Sequence, residues 1–358
     1  MFVRPNGRCW KPTVWQRSWF ARLPERCLEF RVCRPAAEGK VNFVLENLLI
    51  VSASPHIRCP RTTAWVMRNV VIALIPALAA AVILFGPRAL LLTLFCITCC
   101  VGFEAAFCWI TKKETNTTRD FSAVVTGVLL AFNLPVNLPL WMAAVGCFFA
   151  IVITKELFGG LGQNFANPAL VGRIVLMVSF TGRMTSFSAP FLYSQTFVTA
   201  DQISSATPLA LAGTEEAASY LDLFLGNYAG CIGEVSALAL LLGGIYLILR
   251  KIISPIIPAV YIATVFLLTT LFGGDGLYQI LSGGLMLGAI FMATDYSTSP
   301  MTKMGKVIFA IGCGLITAVI RMFGSYAEGV SFAILLMNIA TPLIDRAVRT
   351  HPLGGVNK

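Results

Sequence analysis

The chain has 358 residues, of which 57% are hydrophobic and only 12% charged, with a mean hydropathy of +0.78. Soluble domains carry roughly a quarter charged residues, so this composition excludes an ordinary soluble protein and points to membrane spans. The formal net charge of +10 does not argue for nucleic acid, because 12 of the 27 Lys and Arg lie before residue 70 and most others lie in short loops between apolar runs. No nucleic-acid partner is expected.

Residues 1–47 form a basic N-terminal extension containing Trp10, Trp15, Trp19 and Phe20. It lacks an apolar core long enough for a secretory signal. Trp and Arg suit a segment lying on a lipid surface, whereas a flexible extension, or one that is not translated at all, fits the composition equally.

From Val66 the apolar runs follow closely. Spans are expected at 68–86, 89–111, 121–136, 139–156 and 168–180, then at 232–250, 256–273, 276–294, 305–323 and 330–346. The expected fold is an all-α polytopic membrane protein of about ten transmembrane helices. It divides into a first membrane half (48–180), an outward-facing loop (181–230), a second half (231–346) and a cytoplasmic tail (347–358). Several runs are shorter than the ~20 residues of a bilayer crossing, and 168–180 reads as a half-helix or re-entrant element.

Loop charge orients these spans. With the N-terminus inside, the inner connections hold Lys112, Lys113, Arg119, Lys155, Arg250, Lys251, Lys303 and Lys306, and the tail adds Arg346, Arg349 and Lys358. The outer ones hold only Arg88, Arg183 and Arg321. Both termini are therefore expected on the cytoplasmic side of the membrane. Two halves of five spans would then have opposite orientations, the arrangement of inverted repeats with short or broken helices.

Few residues suggest chemistry. The stretch Gly159-Gly160-Leu161-Gly162-Gln163-Asn164-Phe165-Ala166-Asn167-Pro168 either turns backbone and amide groups towards a ligand or makes a tight turn; its composition allows both. Asp295-Tyr296-Ser297-Thr298-Ser299-Pro300 is the polar interruption of the second half. Ionisable groups within spans are costly, which marks Glu104 and Arg173; Glu104 and Asp295 are the candidates for an ion pathway. Glu156, Asp120 and Asp295 fall near span ends, where solvation is expected. Cys96 and Cys99 form a CxxC, but without a second pair they read as small thiols packed between helices rather than as a metal site. His56 and His351 lie outside the spans, so no catalytic residue is assigned.

The longest polar interruption contains Asp201-Gln202-Ile203-Ser204-Ser205-Ala206-Thr207-Pro208-Leu209. Pro208 disfavours helical geometry at Thr207 and leaves its hydroxyl on an extended turn. On composition alone this is ordinary loop sequence.

Taken together and in order, the motifs resemble those of the D subunit of the Rnf-type electron transport complex, a relative of the B subunit of the sodium-pumping NADH:quinone oxidoreductase. The pieces are Ser52-Ala53-Ser54-Pro55-His56-Ile57-Arg58, Asp120 to Gly127, Gly159 to Asn164, Asn167-Pro168-Ala169, Ser204 to Leu209, Ala293 to Pro300 and Glu328 to Ala333. The resemblance covers about 48–346. It implies a redox-carrier subunit of a complex that couples ferredoxin and NAD(H) chemistry to Na⁺ or H⁺ movement. It also implies FMN esterified through its phosphate to Thr207 by a separate flavin transferase with FAD as donor. Asp201, Ser204, Ser205 and Ala206 complete that attachment motif. A riboflavin or second flavin is implied near Gly160, Asn164 and Asn167. The implied partners are the other subunits of the complex, the transferase and membrane lipid. Two other readings are a non-redox inverted-repeat transporter and the flavin subunit of the quinone-reducing sodium pump.

Overall fold

The computed structural model describes residues 62–112, 120–191, 204–205, 209, 218–234, 236–324 and 329–348. The N-terminal extension, Ser52 to Arg58, Asp201, Ala206, Thr207, Glu328 and the tail from residue 349 lie outside the described residues. For Ser204 and Ser205 only the backbone is described.

Helix α1 (Thr63–Phe85) starts where the Thr62 side chain accepts from the Trp65 amide, and it stops at Gly86 with φ 78°. Pro87 opens α2 (Pro87–Ile110), where a missing amide costs nothing. The buried stripe of α2 includes Ala89, Leu92, Thr93, Cys96, Cys100 and Glu104. Its four-residue steps put both cysteines on the face that meets α3 (Ser122–Phe132). The approach is close: a Cβ at Gly127 would lie 2.8 Å from Ile97 Cα. Small residues permit such helix contacts in lipid, so the thiols Cys96, Cys100 and Cys147 serve as packing groups here. Gly127→Val should accordingly cost about 1–3 kcal/mol through overpacking, read as a lower melting temperature in detergent.

The expected span 121–136 is helical only to Phe132; the chain beyond it unwinds but stays buried at Leu134, Val136 and Leu138. Its backbone is satisfied from the second half, with Gly233 N donating to Phe132 O (2.9 Å) and Ile232 N to Leu134 O (3.1 Å). Helix α4 (Leu140–Phe148) runs on as a π-helix, π1 (Phe149–Glu156). Asn167 caps α5 (Pro168–Ser179), its Oδ1 accepting from Ala169 N at 3.1 Å, so the short fifth element is a half-helix as expected. After the single turn α6 (Thr181–Met184), strand β1 (Phe187–Ser188) pairs antiparallel with β2 (Ser204–Ser205).

Helix α7 (Tyr220–Leu225) precedes the second half, which opens with α8 (Ala237–Leu249) and α9 (Ile256–Leu271). The expected span 276–294 is broken into α10 (Gly276–Leu281), α11 (Leu285–Leu287) and a second π-helix, π2 (Gly288–Met292). Gly283, at φ 67°, takes the left-handed turn that separates α10 from α11. Helices α12 (Lys303–Phe323) and α13 (Val330–Ala347) complete the bundle.

Among the described residues four helices, α1, α2, α12 and α13, are long and apolar enough to cross a membrane, and the other described segments are shorter or broken. Their outer faces are apolar as well: Ile83, Leu91, Leu315 and Ile339 are each at least half exposed. In water that would be an aggregating surface; in a bilayer it is the lipid-facing one. The chain is a helical polytopic membrane protein.

Contacts among the connections define two ends. At one, which we call the loop end, the segments after α3, α5 and α10 meet residues 228–234. At the other, the cleft end, Val66, Ser122, Asn164, Ile252 and Asp295 gather around one cavity. The first half travels from cleft end to loop end, and the second half returns.

Candidate functional site

The cleft is a slot of about 730 Å³ counting its open mouth. Val66, Val125, Leu129 and Phe291 supply apolar walls, and Asn164, Asn167, Thr294, Asp295 and Ser297 supply a polar side. The two polar interruptions singled out in the sequence, one from each half, therefore meet here. Asn167 makes the bridge itself, donating from Nδ2 to Met292 O at 3.3 Å. Asn164 Oδ1 is buried and has no hydrogen-bond partner among the described residues. Gly160, with φ 101°, is buried in the turn behind the slot and does not line it.

Asp295 is half-buried, and its loss of solvent raises its pKa above the ordinary carboxylate value. Hydrogen bonds from its own loop oppose this: Ser297 Oγ at 2.9 Å and Thr298 Oγ1 at 3.4 Å.

The deepest lining group is Lys155. Loop charge puts it in an inner connection, and Glu156 is expected to be solvated. The structure corrects both: Lys155 is 1% and Glu156 2% exposed. The physical reason is π1, whose wide turn runs Thr154, Lys155 and Glu156 together into the packing of α2, α3 and α5. Lys155 Nζ donates to Ser122 Oγ at 2.8 Å and lies 2.9 Å from Glu104 Oε1. Glu104, expected to stand on an ion pathway, is thus fully buried in an ion pair and does not itself line the cleft. Of the two ion-pathway candidates, only Asp295 reaches the slot.

A second polar network occupies the loop end. Arg173, from α5, donates through Nη1 to Asn133 Oδ1 and to Glu234 Oε1 at 3.1 Å. Tyr228 donates its hydroxyl to Glu234 O at 3.0 Å. The sequence drew attention to Arg173, but its partners lie 40 and 61 positions away in the chain. Only the charge of Glu234 just before an apolar run could have flagged it.

The same end holds what is described of the Ser204–Leu209 motif. Ser205 pairs with Phe187, and Phe187 packs with Ala229 and Cys231. Leu209 approaches Gly283, its Cδ2 3.9 Å from where a Cβ would stand. Two anchors, two residues before and two after position 207, therefore attach the motif to the loop end.

Comparison with known proteins decides the family. A profile of the NQR2, RnfD, RnfE family matches residues 50–354. The chain belongs to that family. It is 52% identical over 311 residues to the D subunit of the Na⁺-translocating ferredoxin:NAD⁺ oxidoreductase complex of Acetobacterium woodii, covering 86% of this chain and 95% of that protein. It is 41% identical over 329 residues to the D subunit of the proton-translocating ferredoxin:NAD⁺ oxidoreductase complex of Clostridium ljungdahlii, covering 87% and 98%. The D subunit of an ion-translocating oxidoreductase complex of Stutzerimonas stutzeri is 40% identical over 323 residues, with 81% and 91% covered. The cleft, both buried networks and the 201–209 motif all fall within the region matched to the NQR2, RnfD, RnfE family.

Proposed function

We propose that this chain is the D subunit of an Rnf-type complex, which couples electron transfer between ferredoxin and NAD⁺ to cation movement and relays electrons through FMN esterified to Thr207. The observation that carries the subunit assignment is the 52% identity extending over 95% of a relative of that description. The cation is Na⁺ or H⁺, since the named relatives carry one each.

For the attachment, the Thr207 oxygen would attack the FMN-side phosphorus of FAD on the transferase. A P–O bond to the AMP portion breaks, AMP leaves, and the hydroxyl proton passes to a base of the transferase. A phosphoester retains the isoalloxazine ring intact as a one- and two-electron carrier. The chain's part is to present a hydroxyl between two anchored flanks, and Pro208 keeps that hydroxyl out of a helix. This reading puts the complex in the bacterial cytoplasmic membrane, both termini inside, with Thr207 on the outer side where a secreted transferase reaches it. The partners are the remaining subunits, the transferase and lipid.

The cleft suits a second, reversibly held flavin such as riboflavin. Asn164 and Asn167 offer amide groups to a polar ring edge, apolar walls face a planar ring, and Lys155, paired with Glu104, lines the same cleft. The orphaned Asn164 Oδ1 supports that fit.

The test is a denaturing gel of purified subunit viewed under ultraviolet light. Wild type should fluoresce and Thr207→Ala should be dark. A fluorescent Thr207→Ala band would move the tether elsewhere, and a flavin-free wild type that carries solute flux in liposomes would favour the non-redox transporter.

A further inference from the structure

Beside α2, at the loop end, lies a groove of about 780 Å³ counting its open mouth. Arg88, Leu91, Leu92, Val136, Leu138 and Leu140 line it. It exists because the expected span 121–136 is broken. Pro135 and Pro139 have no amide proton to donate, so α3 stops at Phe132 and α4 restarts only at Leu140. The groove follows the irregular segment between them. Leu92, Val136 and Leu138 form its floor and are buried. Leu91 and Leu140 stand at the mouth, 53% and 39% exposed, so the groove opens on the lipid-facing side.

Arg88 is the charged group of this lining, and it is exposed. Its Nε donates to Val136 O at 3.0 Å. That bond satisfies a carbonyl left over by the unwinding and fixes the guanidinium at the groove. Among the described residues Nη1 and Nη2 make no hydrogen bond, and no carboxylate pairs with Arg88. Trp141, next in the chain to Leu140, is also exposed and sets its ring edge-on to Phe180 at 5.3 Å. An exposed Trp belongs at the boundary of lipid and water, so this mouth lies at headgroup depth.

We infer that the groove is a binding site for an anionic phospholipid. The two Nη groups of Arg88 form a planar fork that matches two oxygens of the headgroup phosphate. An acyl chain then lies against Leu91, Leu138 and Leu140. Any lipid tail covers these leucines equally well, so the choice between lipids falls to the headgroup. The lining holds no carboxylate to receive an ammonium, so a zwitterionic headgroup brings a second cation beside Arg88 with no partner for it. The bound phosphate neutralises Arg88 while Arg88 holds Val136 O, and the lipid closes the break after α3. The inference is independent of the flavin at Thr207.

The experiment places the full-length chain, and separately the assembled complex, in vesicles of equal parts phosphatidylglycerol and phosphatidylcholine. Two preparations of identical composition differ only in which lipid carries bromine on its acyl chains. Bromine quenches Trp on contact, and subtracting the signal of Trp141→Phe isolates the share of Trp141. In wild type, brominated phosphatidylglycerol should quench that share more than brominated phosphatidylcholine does. Arg88→Gln should lower this preference roughly tenfold, the scale of a lost charge-assisted contact. Arg88→Lys keeps the charge but not the fork or the Nε bond, and it should lose part of the preference.

Equal quenching by the two lipids in wild type would overturn the inference, whether or not Arg88→Gln folds. Full preference in Arg88→Lys would reduce the effect to diffuse surface charge and overturn the site as well. Quenching by neither lipid in the assembled complex would mean that a neighbouring subunit covers the groove, which contradicts the assignment to lipid.

Discussion

Lys155→Ala is expected to destabilise the folded protein by about 3–5 kcal/mol, the scale set by removing one partner from a buried ion pair. Lys155 and Glu104 have side chains 1% and 0% exposed, and the pair is 2.9 Å apart. Without the ammonium, the buried Glu104 carboxyl among α2, α3 and π1 loses its ion-pair partner, and Glu156, 4.0 Å from Nζ, loses a nearby cation as well. The converse variant distinguishes charge from packing. Glu104→Leu combined with Lys155→Met replaces both ions by apolar groups of similar size, and it should recover most of the loss. Thermal unfolding in detergent, read by intrinsic fluorescence, checks both. A double variant as unstable as Lys155→Ala would contradict the assignment of the loss to an orphaned charge. The cleft gives a second readout: riboflavin affinity should fall in both variants, because Lys155 is missing from the floor in each.

Thr207→Ala carries the other large effect. In the assembled complex it should reduce ferredoxin:NAD⁺ electron transfer by well over an order of magnitude, since the relay loses a covalently held carrier. The fold should be untouched: the substitution removes one hydroxyl and leaves the flanking contacts, Ser205 on Phe187 and Leu209 beside Gly283, in place. Protein yield and melting temperature should match wild type. Thr207→Ser restores a primary hydroxyl and is expected to recover partial loading. Unaltered electron transfer in Thr207→Ala would mean that electrons bypass this position.

Much of the architecture was legible because hydropathy reports burial in lipid directly. All ten apolar runs contain helix, and Asn167 with Pro168 marked the start of α5. What hydropathy missed was where helices unwind inside the protein. Residues 133–136 and 282–284 read as parts of continuous spans, yet the chain breaks there. Partners such as Gly233 and Ile232 satisfy the backbone freed after α3, and they are about a hundred positions distant. Such partners cannot be read from a local window.

The buried charges failed for the same reason. Lys155 and Glu156 sit at the end of an apolar run, which a loop count takes as solvated. Their burial depends on π1 and on neighbours from three other helices. Removing Lys155 from the inner-loop total still leaves a strong bias, because the remaining inner charges far outnumber Arg88, Arg183 and Arg321. At the cleft, Asn164, Asn167 and Asp295 were each visible as polar interruptions; their meeting across the two halves was not. Asp201, Ala206 and Thr207 lie outside the described residues, so the attachment motif rests on its sequence, its family and its two anchored flanks.

The central claim is that one oxygen, that of Thr207, carries the flavin. Mass spectrometry of peptides from the purified wild-type protein tests it most directly. The account predicts that the peptide containing Ser204 to Leu209 carries the mass of FMN joined with loss of water, and that fragmentation places it on Thr207. An unmodified peptide in full yield, or the same added mass fragmenting to Ser204 or Ser205, would contradict it.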